Sequence, residues 1–281
     1  MRRIRPSAAI QSTPEPEASS PMLDIDFAEG SDCGPVRPHN EDFIGHSLPA
    51  NPLHARSRGW LFVLADGVGG QDRGEVASRL AVETVLAECA NSPQSENSAA
   101  MFARSIQAAN HRVYEAAHGS IATTLVACVL RFDRATIAHV GDSRCYLVRH
   151  GKPRRLTRDH TVINEQSRFS AFTSGEAQRS LMRSALTRAV GTQLFVSPEI
   201  SEHQVIPGDL LLLCSDGLHG AVSDQEIARI ASSAASLGQA TRELIAIAND
   251  NDGGDNVSVQ LIRIRKVERM GMYRGRPYKL R

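Results

Sequence analysis

The hydrophobic pattern changes period along the chain, and each change marks an element. Stretches of strand length rich in Val, Leu, Ile and Thr read "GWLFVLAD", "ATTLVACVLRF", "TIAHVGDS", "CYLVRHGKPRRL", "DLLLLCSD" and "NVSVQLIRI". "FDRA" joins two of them and His150-Gly151 makes a tight turn between "CYLVR" and "KPRRL", so hairpins and antiparallel sheets are expected. Elsewhere the period is helical. "EVASRLAVETVLAECA" sets Val76, Leu80, Val85 and Leu86 near one face, and "AMFARSIQAANHRVYEAA" does the same with Phe102, Ile106 and Val113. Ser223 and Glu226 in "VSDQEIARIA" form a capping-box pattern that starts a third helix, and "GQATRELIAIAND" supplies a fourth. Two helices fall between early strands and two near the end. The expected class is α+β, with sheets packed on each other and helix pairs outside.

The ends do not share this pattern. Residues 1–22 are rich in Pro, Ser and Glu and poor in large apolar groups, which predicts a flexible N-terminal tail. Residues 265–281 are read as a basic C-terminal tail, either a solvated end or a docking segment for an acidic partner. Residues 23–264 remain as the folded body. Composition narrows its role: 41% hydrophobic and 22% charged residues describe an ordinary globular protein, and a formal charge of +1 leaves no basic field for nucleic acid. The five cysteines are scattered, with no CxxC or HExxH pattern, which suits a reducing compartment and offers no thiolate or imidazole metal site. No apolar run approaches the ~20 residues of a membrane span. The basic start lacks an apolar centre, so no secretory signal is expected and the cytoplasm is the predicted location.

Three apolar strands carry an aspartate at one end: Asp66 after "LFVLA", Asp216 after "LLLLCS" and Asp255 before "NVSVQLI". Asp-Gly is a common strand exit, so each is a turn residue on the plainest reading. If the strand ends meet, the carboxylates repel and need a positive partner. An all-oxygen set favours a hard divalent ion, Mg²⁺ or Mn²⁺, and the glycines after Asp66 let backbone approach it. Such a centre suits phosphate-monoester hydrolysis, where paired metals activate water and an arginine holds the phosphate. Arg37 in "CGPVRPHNEDFIG", beside Glu41 and Asp42, is the candidate clamp; a local surface ion pair is the alternative.

Taken together, "RPHNED", "ADGVGGQDRGEVAS", "ATTL", "VGDSRCYL", "LTRDHT", "LTRAVG", "LLLCSDGL" and "GGDNVSV" resemble, in order, the metal-dependent serine/threonine protein phosphatase family (PPM, type 2C) in its bacterial form. The resemblance implies a four-layer α-β-β-α sandwich of two antiparallel sheets flanked by helix pairs, with the metal centre in a cleft at one edge. It also implies hydrolysis of phosphoserine and phosphothreonine by attack of a metal-bridging water, reversing a cognate bacterial Ser/Thr kinase, in a monomer. Two Mn²⁺ or Mg²⁺ ions are expected, with a third, weaker site. By resemblance Asp66 bridges both metals and the Gly67 carbonyl binds the second. Asp216 and Asp255 bind the first, Glu41 acts on the second with Asp42 supporting it, and Arg37 clamps phosphate. Asp142 in "GDSR" joins Asp216 at the third metal, or is a plain turn acid. Asn256 and Ser258 orient the loop carrying Asp255, and Thr123 and Thr124 pack in a sheet.

This chain departs from the family pattern in two internal places. Val68 stands where many eukaryotic members have a histidine proposed as general acid. The flap segment between "LTRDHT" and "LTRAVG" lacks the usual His-Pro element, leaving His160 and Arg158 at its start as exposed polar candidates, with a structural role as the equal alternative. Three other readings are weighed: an inactive pseudophosphatase acting as a binding module, a phosphatase of a single phosphorylated transcription regulator, and a metal-dependent nuclease or nucleotide phosphatase. Intact Asp66, Asp216 and Asp255 argue against the first. Only 5% aromatics, with Trp60 inside an apolar run, place the nuclease last.

Overall fold

The computed structural model describes residues 23–68, 73–166, 185–273 and 276–279. The N-terminal tail and most of the expected flap lie outside them. In chain order the elements are β1 (Asp24–Asp32), β2 (Asp42–Ser47), α1 (Pro52–Ser57), β3 (Trp60–Val68), α2 (Gly74–Ala90), α3 (Ser98–Ala117), β4 (Ala122–Thr123), β5 (Leu125–Arg131) and β6 (Arg134–Val140). Then come β7 (Arg144–Arg149), β8 (Lys152–Arg155), α4 (Val162–Gln166), β9 (Glu199–Gln204), β10 (Leu210–Cys214), α5 (Asp216–Ala221), α6 (Asp224–Ser233), α7 (Leu237–Asn251), β11 (Val257–Lys266), β12 (Met270–Tyr273) and β13 (Arg276–Lys279).

One sheet runs β1-β11-β10-β7-β8 and the other β2-β3-β5-β6-β9, with β4 added to β3; every pairing is antiparallel. The continuous apolar runs follow from burial on both faces. Along β3, Leu61, Val63 and Ala65 pack with α2 and α3, while Phe62 and Leu64 enter the core between the sheets. Across that core stand Leu211, Leu213 and Ile262, and the alternate residues Leu210, Leu212 and Cys214 of β10 pack with α6 and α7. The four layers expected from the pattern are therefore present.

Both predicted hairpins form, β5–β6 closing at Arg131 opposite Arg134 and β7–β8 at Arg149 opposite Lys152. His150 and Gly151 have φ of 51° and 72°, the two left-handed residues of a turn that matches strand twist. Ser223 caps α6 by accepting from the Glu226 amide at 3.3 Å, but the Glu226 carboxylate pairs with Arg229 at 2.7 Å. The box is thus half formed.

Strands β1, β2 and β9 were not foreseen. They are partly exposed, and their short sequences "DIDFAEGSD", "DFIGHS" and "EISEHQ" carry few apolar residues. At Gly45 of β2 a Cβ would lie 2.9 Å from both Val82 and Leu86, so glycine lets α2 settle close on the sheet. The basic C-terminal stretch is more ordered than a solvated end. Val267 and Glu268 are buried, Arg56 grips Glu268 through two hydrogen bonds of 3.0 and 3.2 Å, and β12 and β13 pair as a hairpin.

Candidate metal centre

Strand register brings the first two acids together, because Asp42 of β2 lies opposite Asp66 of β3. The Asp66 peptide is clasped by its neighbours: its N–H donates to Thr124 Oγ1 at 3.0 Å, and its carbonyl accepts from Thr123 Oγ1 and the Thr124 amide, both at 2.8 Å. Thr124 Oγ1 also meets Ser143 Oγ at 2.6 Å, next to Asp142. These threonines therefore hold the aspartate as well as fill the sheet. Beyond it, Gly67 has no room for a side chain: a Cβ would stand 2.4 Å from the Gly74 backbone and 2.8 Å from the Glu41 carbonyl.

Asp216 arrives differently. Strand β10 stops at Cys214, and Ser215 turns the chain into α5, whose first residue is Asp216. Ser215 Oγ donates to Asp42 Oδ2 at 2.7 Å and accepts from the Ser258 amide at 2.9 Å, so one hydroxyl ties both sheets at this rim. Asn256 reaches further than its own loop: its Oδ1 accepts from the Glu41 amide at 2.8 Å, and its Nδ2 donates to the carbonyls of Cys33 and His39 at 2.9 and 3.0 Å. That fixes the segment bearing Arg37 and Glu41 against the start of β11. Arg37 itself forms an ion pair, and the partner is Asp255, Nη2 to Oδ1 at 3.0 Å; its Nε donates to the Gly254 carbonyl at 3.0 Å.

Arg37, Glu41, Asp66, Gly67, Asp142, Asp216 and Asp255 thus line one cavity of about 160 Å³, joined by Val68 and Leu186, with Asp42 buried behind. The electrostatics are unfavourable as they stand. Burial, then Asp216, Asp42, Asp142 and Asp255, push the Asp66 carboxyl well above its ordinary range. Burial first and neighbouring acids second raise Asp42 and Asp142 to about 7, and burial also raises Asp216 and Glu41. Asp42 Oδ1 is buried with no hydrogen-bond partner. A hard divalent cation in the cavity would relieve the crowding of charge, and the donors are oxygens throughout, so these residues fit one.

His160, expected to be exposed, is buried. Its amide donates to the Gly141 carbonyl at 2.9 Å, its Nδ1 accepts from the Gly141 amide at 3.2 Å, and its carbonyl accepts from the Thr187 amide at 2.8 Å. It stacks on His139 with centroids 4.7 Å apart and planes at 21°, and Glu199 completes a group whose ligand atoms lie within 4.8 Å. The group is a poor cation site. No ion can lie in the planes of two stacked rings, and the Gly141 bond leaves the His160 proton on Nε2. It clamps the base of the flap segment instead, where Thr161 bridges Leu186 and Val162 bonds Ala185. Arg158 is also engaged, donating from Nη2 to the Asn164 carbonyl at 2.8 Å.

The family model described as protein phosphatase 2C matches residues 30–257. The chain belongs to the protein phosphatase 2C family. It is accordingly a metal-dependent phosphoprotein phosphatase. A relative from Listeria innocua named serine/threonine phosphatase stp is 32% identical over 254 residues, spanning 88% of this chain and 96% of the relative. The solved S. agalactiae serine/threonine phosphatase superposes with a TM-score of 0.78 at 30% identity, covering 86% of this chain and all of that one. The catalytic domain of the serine/threonine phosphatase PstP, solved with two manganese ions, gives a TM-score of 0.73 at 29% identity over 87% of this chain and 100% of that one. The layers and strand order described above are those of a family whose chemistry takes place at a metal centre.

Proposed function

We propose that this phosphatase hydrolyses phosphoserine and phosphothreonine in proteins, with Mn²⁺ or Mg²⁺ held by Asp66, the Gly67 carbonyl, Asp216, Asp255 and Glu41. The observation that carries this reading is the buried set of carboxyls with raised proton affinity around one cavity. Bound divalent ions supply a nucleophilic water at neutral pH and neutralise the phosphoryl oxygens. Asp66, whose peptide is clasped by Thr123 and Thr124, would be a central ligand, with Asp42 supporting the centre from behind. Asp142 with Asp216 would hold a third, weaker ion. Asn256 keeps the Glu41 backbone in place.

Arg37 leaves Asp255 to take the substrate phosphate in a two-pronged contact. Val68 has no proton to give, so the leaving serine or threonine oxygen takes its proton from water or from another residue. Residues 23–264 form the catalytic unit. The substrates are products of a bacterial Ser/Thr kinase, and the enzyme works as a cytoplasmic monomer. Among the described residues no helix is long and apolar enough to cross a membrane.

The test is phosphate release from a phosphothreonine peptide with Mn²⁺, with EDTA, and in Asp216→Asn. Release that needs Mn²⁺ and is lost in the variant upholds the reading. A folded protein with no activity under any metal would favour the pseudophosphatase.

A further inference from the structure

The reaction cavity shares Asp142, Asp216 and Asp255 with an adjoining groove of about 640 Å³. That is more room than a phosphoryl group needs. Its wall includes Gly217 and Gly220 of α5, and a Cβ on Gly220 would meet nothing within 4 Å, so a second backbone can come close there. From the far end of β8 comes Arg155.

The two arginines of this groove differ in how fully they are used. Arg144 takes both oxygens of Asp159, Nε to Oδ1 at 3.0 Å and Nη2 to Oδ2 at 2.7 Å, and gives its third nitrogen to the Tyr146 hydroxyl at 3.0 Å. Arg155 makes one contact of 3.3 Å from Nη1, to the Asp159 oxygen that Arg144 already holds. Its Nε and Nη2 have no partner among the described residues, and its side chain is 34% exposed. A guanidinium with an unused pair of donors matches the two oxygens of a carboxylate or phosphoryl group.

We propose that this groove seats the polypeptide flanking the phosphorylated residue, and that Arg155 binds an anionic side chain of that segment. The preferred substrates are then acidic or multiply phosphorylated segments. The inference rests on the phosphatase reading above and adds the class of sequence it acts on. Because the contact is partly exposed, its effect on kcat/KM is about five-fold.

The experiment compares phosphothreonine peptides in which one Glu, or one second phosphothreonine, is walked through the flanking positions, against a neutral parent. Each is measured with Mn²⁺ on the full chain, as wild type, Arg155→Gln and Arg155→Glu. The readout is the ratio of kcat/KM for acidic over neutral peptide within one enzyme, which does not depend on the fraction folded. We expect a ratio of about five at one register in the wild type, near one in Arg155→Gln and below one in Arg155→Glu. The Glu and phosphothreonine sets show which anion is taken. An unchanged ratio in Arg155→Gln overturns the inference. So does a wild-type preference for Lys peptides that disappears in Asp252→Asn, since Asp252 lines the same groove. Failure to hydrolyse any peptide would strike the phosphatase reading itself, and this inference with it.

Discussion

Strands β3 and β10 are near twins in sequence, "LFVLADG" and "LLLLCSDG", yet they deliver their aspartates by different means. β3 continues past Asp66, with Gly67 and Val68 paired to β4, so that carboxylate stands inside a sheet with Asp42 opposite and Thr124 holding its peptide. β10 ends before Asp216, which is placed by a turn and by a serine bonded to both Asp42 and Ser258. One acid is set by register and the other by a corner. A register cannot shift by a fraction of a residue, whereas a corner can yield.

The largest test of that contrast is Asp66→Asn against Asp216→Asn. Both should lose activity on the order of a thousandfold. Raising Mn²⁺ should recover part of the loss at Asp216 and none at Asp66, and equal recovery would erase the distinction. Deeper in the strands the contrast should vanish. Leu64→Ala and Leu213→Ala both empty the inter-sheet core and should each cost about 2–5 kcal/mol by denaturant unfolding.

The supports come next. Thr124→Val leaves the Asp66 amide without its acceptor, and Ser215→Ala strips the one bonded oxygen of Asp42. Each should cost about 1–3 kcal/mol. The threonine change should lower kcat more, because Asp66 itself moves.

The remaining test varies pH. Asp42 and Asp142 have an ordinary value of 3.8 and rise to about 7 in the fold. The native state then binds protons more tightly than the unfolded chain. The contribution of these two groups to the stability of the metal-free protein should be greatest below 3.8, fall as pH climbs to about 7, and level off above it. Mn²⁺ should abolish that slope. Thermal melts at several pH values with EDTA or Mn²⁺ measure it, and a flat metal-free profile would contradict the crowding of the acids.

What could be read from the chain followed burial. Strands covered on both faces announced themselves as apolar runs, and Asp66 and Asp216 stood out because each interrupts one. β1, β2 and β9 did not, since partly exposed strands with glycine or charge inside lack a clear period. The clasp by Thr124 and Ser215 was hidden for another reason. A hydroxyl in a strand looks the same whether it fills space or bonds a residue brought near by the fold, and Asp66 is 58 positions away from Thr124. Nothing local tells whether His160 is exposed or structural, because its partner Gly141 lies 19 residues upstream.

The Arg37–Asp255 pair carries a consequence for turnover. If Arg37 clamps phosphate, the incoming anion meets a guanidinium that already holds a carboxylate 3.0 Å away, and a two-pronged contact must share Nη2 with it. The affinity for free phosphate at such a clamp would fall by the fraction of time the arginine spends with its own acid. A departing phosphate would leave behind a cation with a partner waiting, which would ease release of what the enzyme makes.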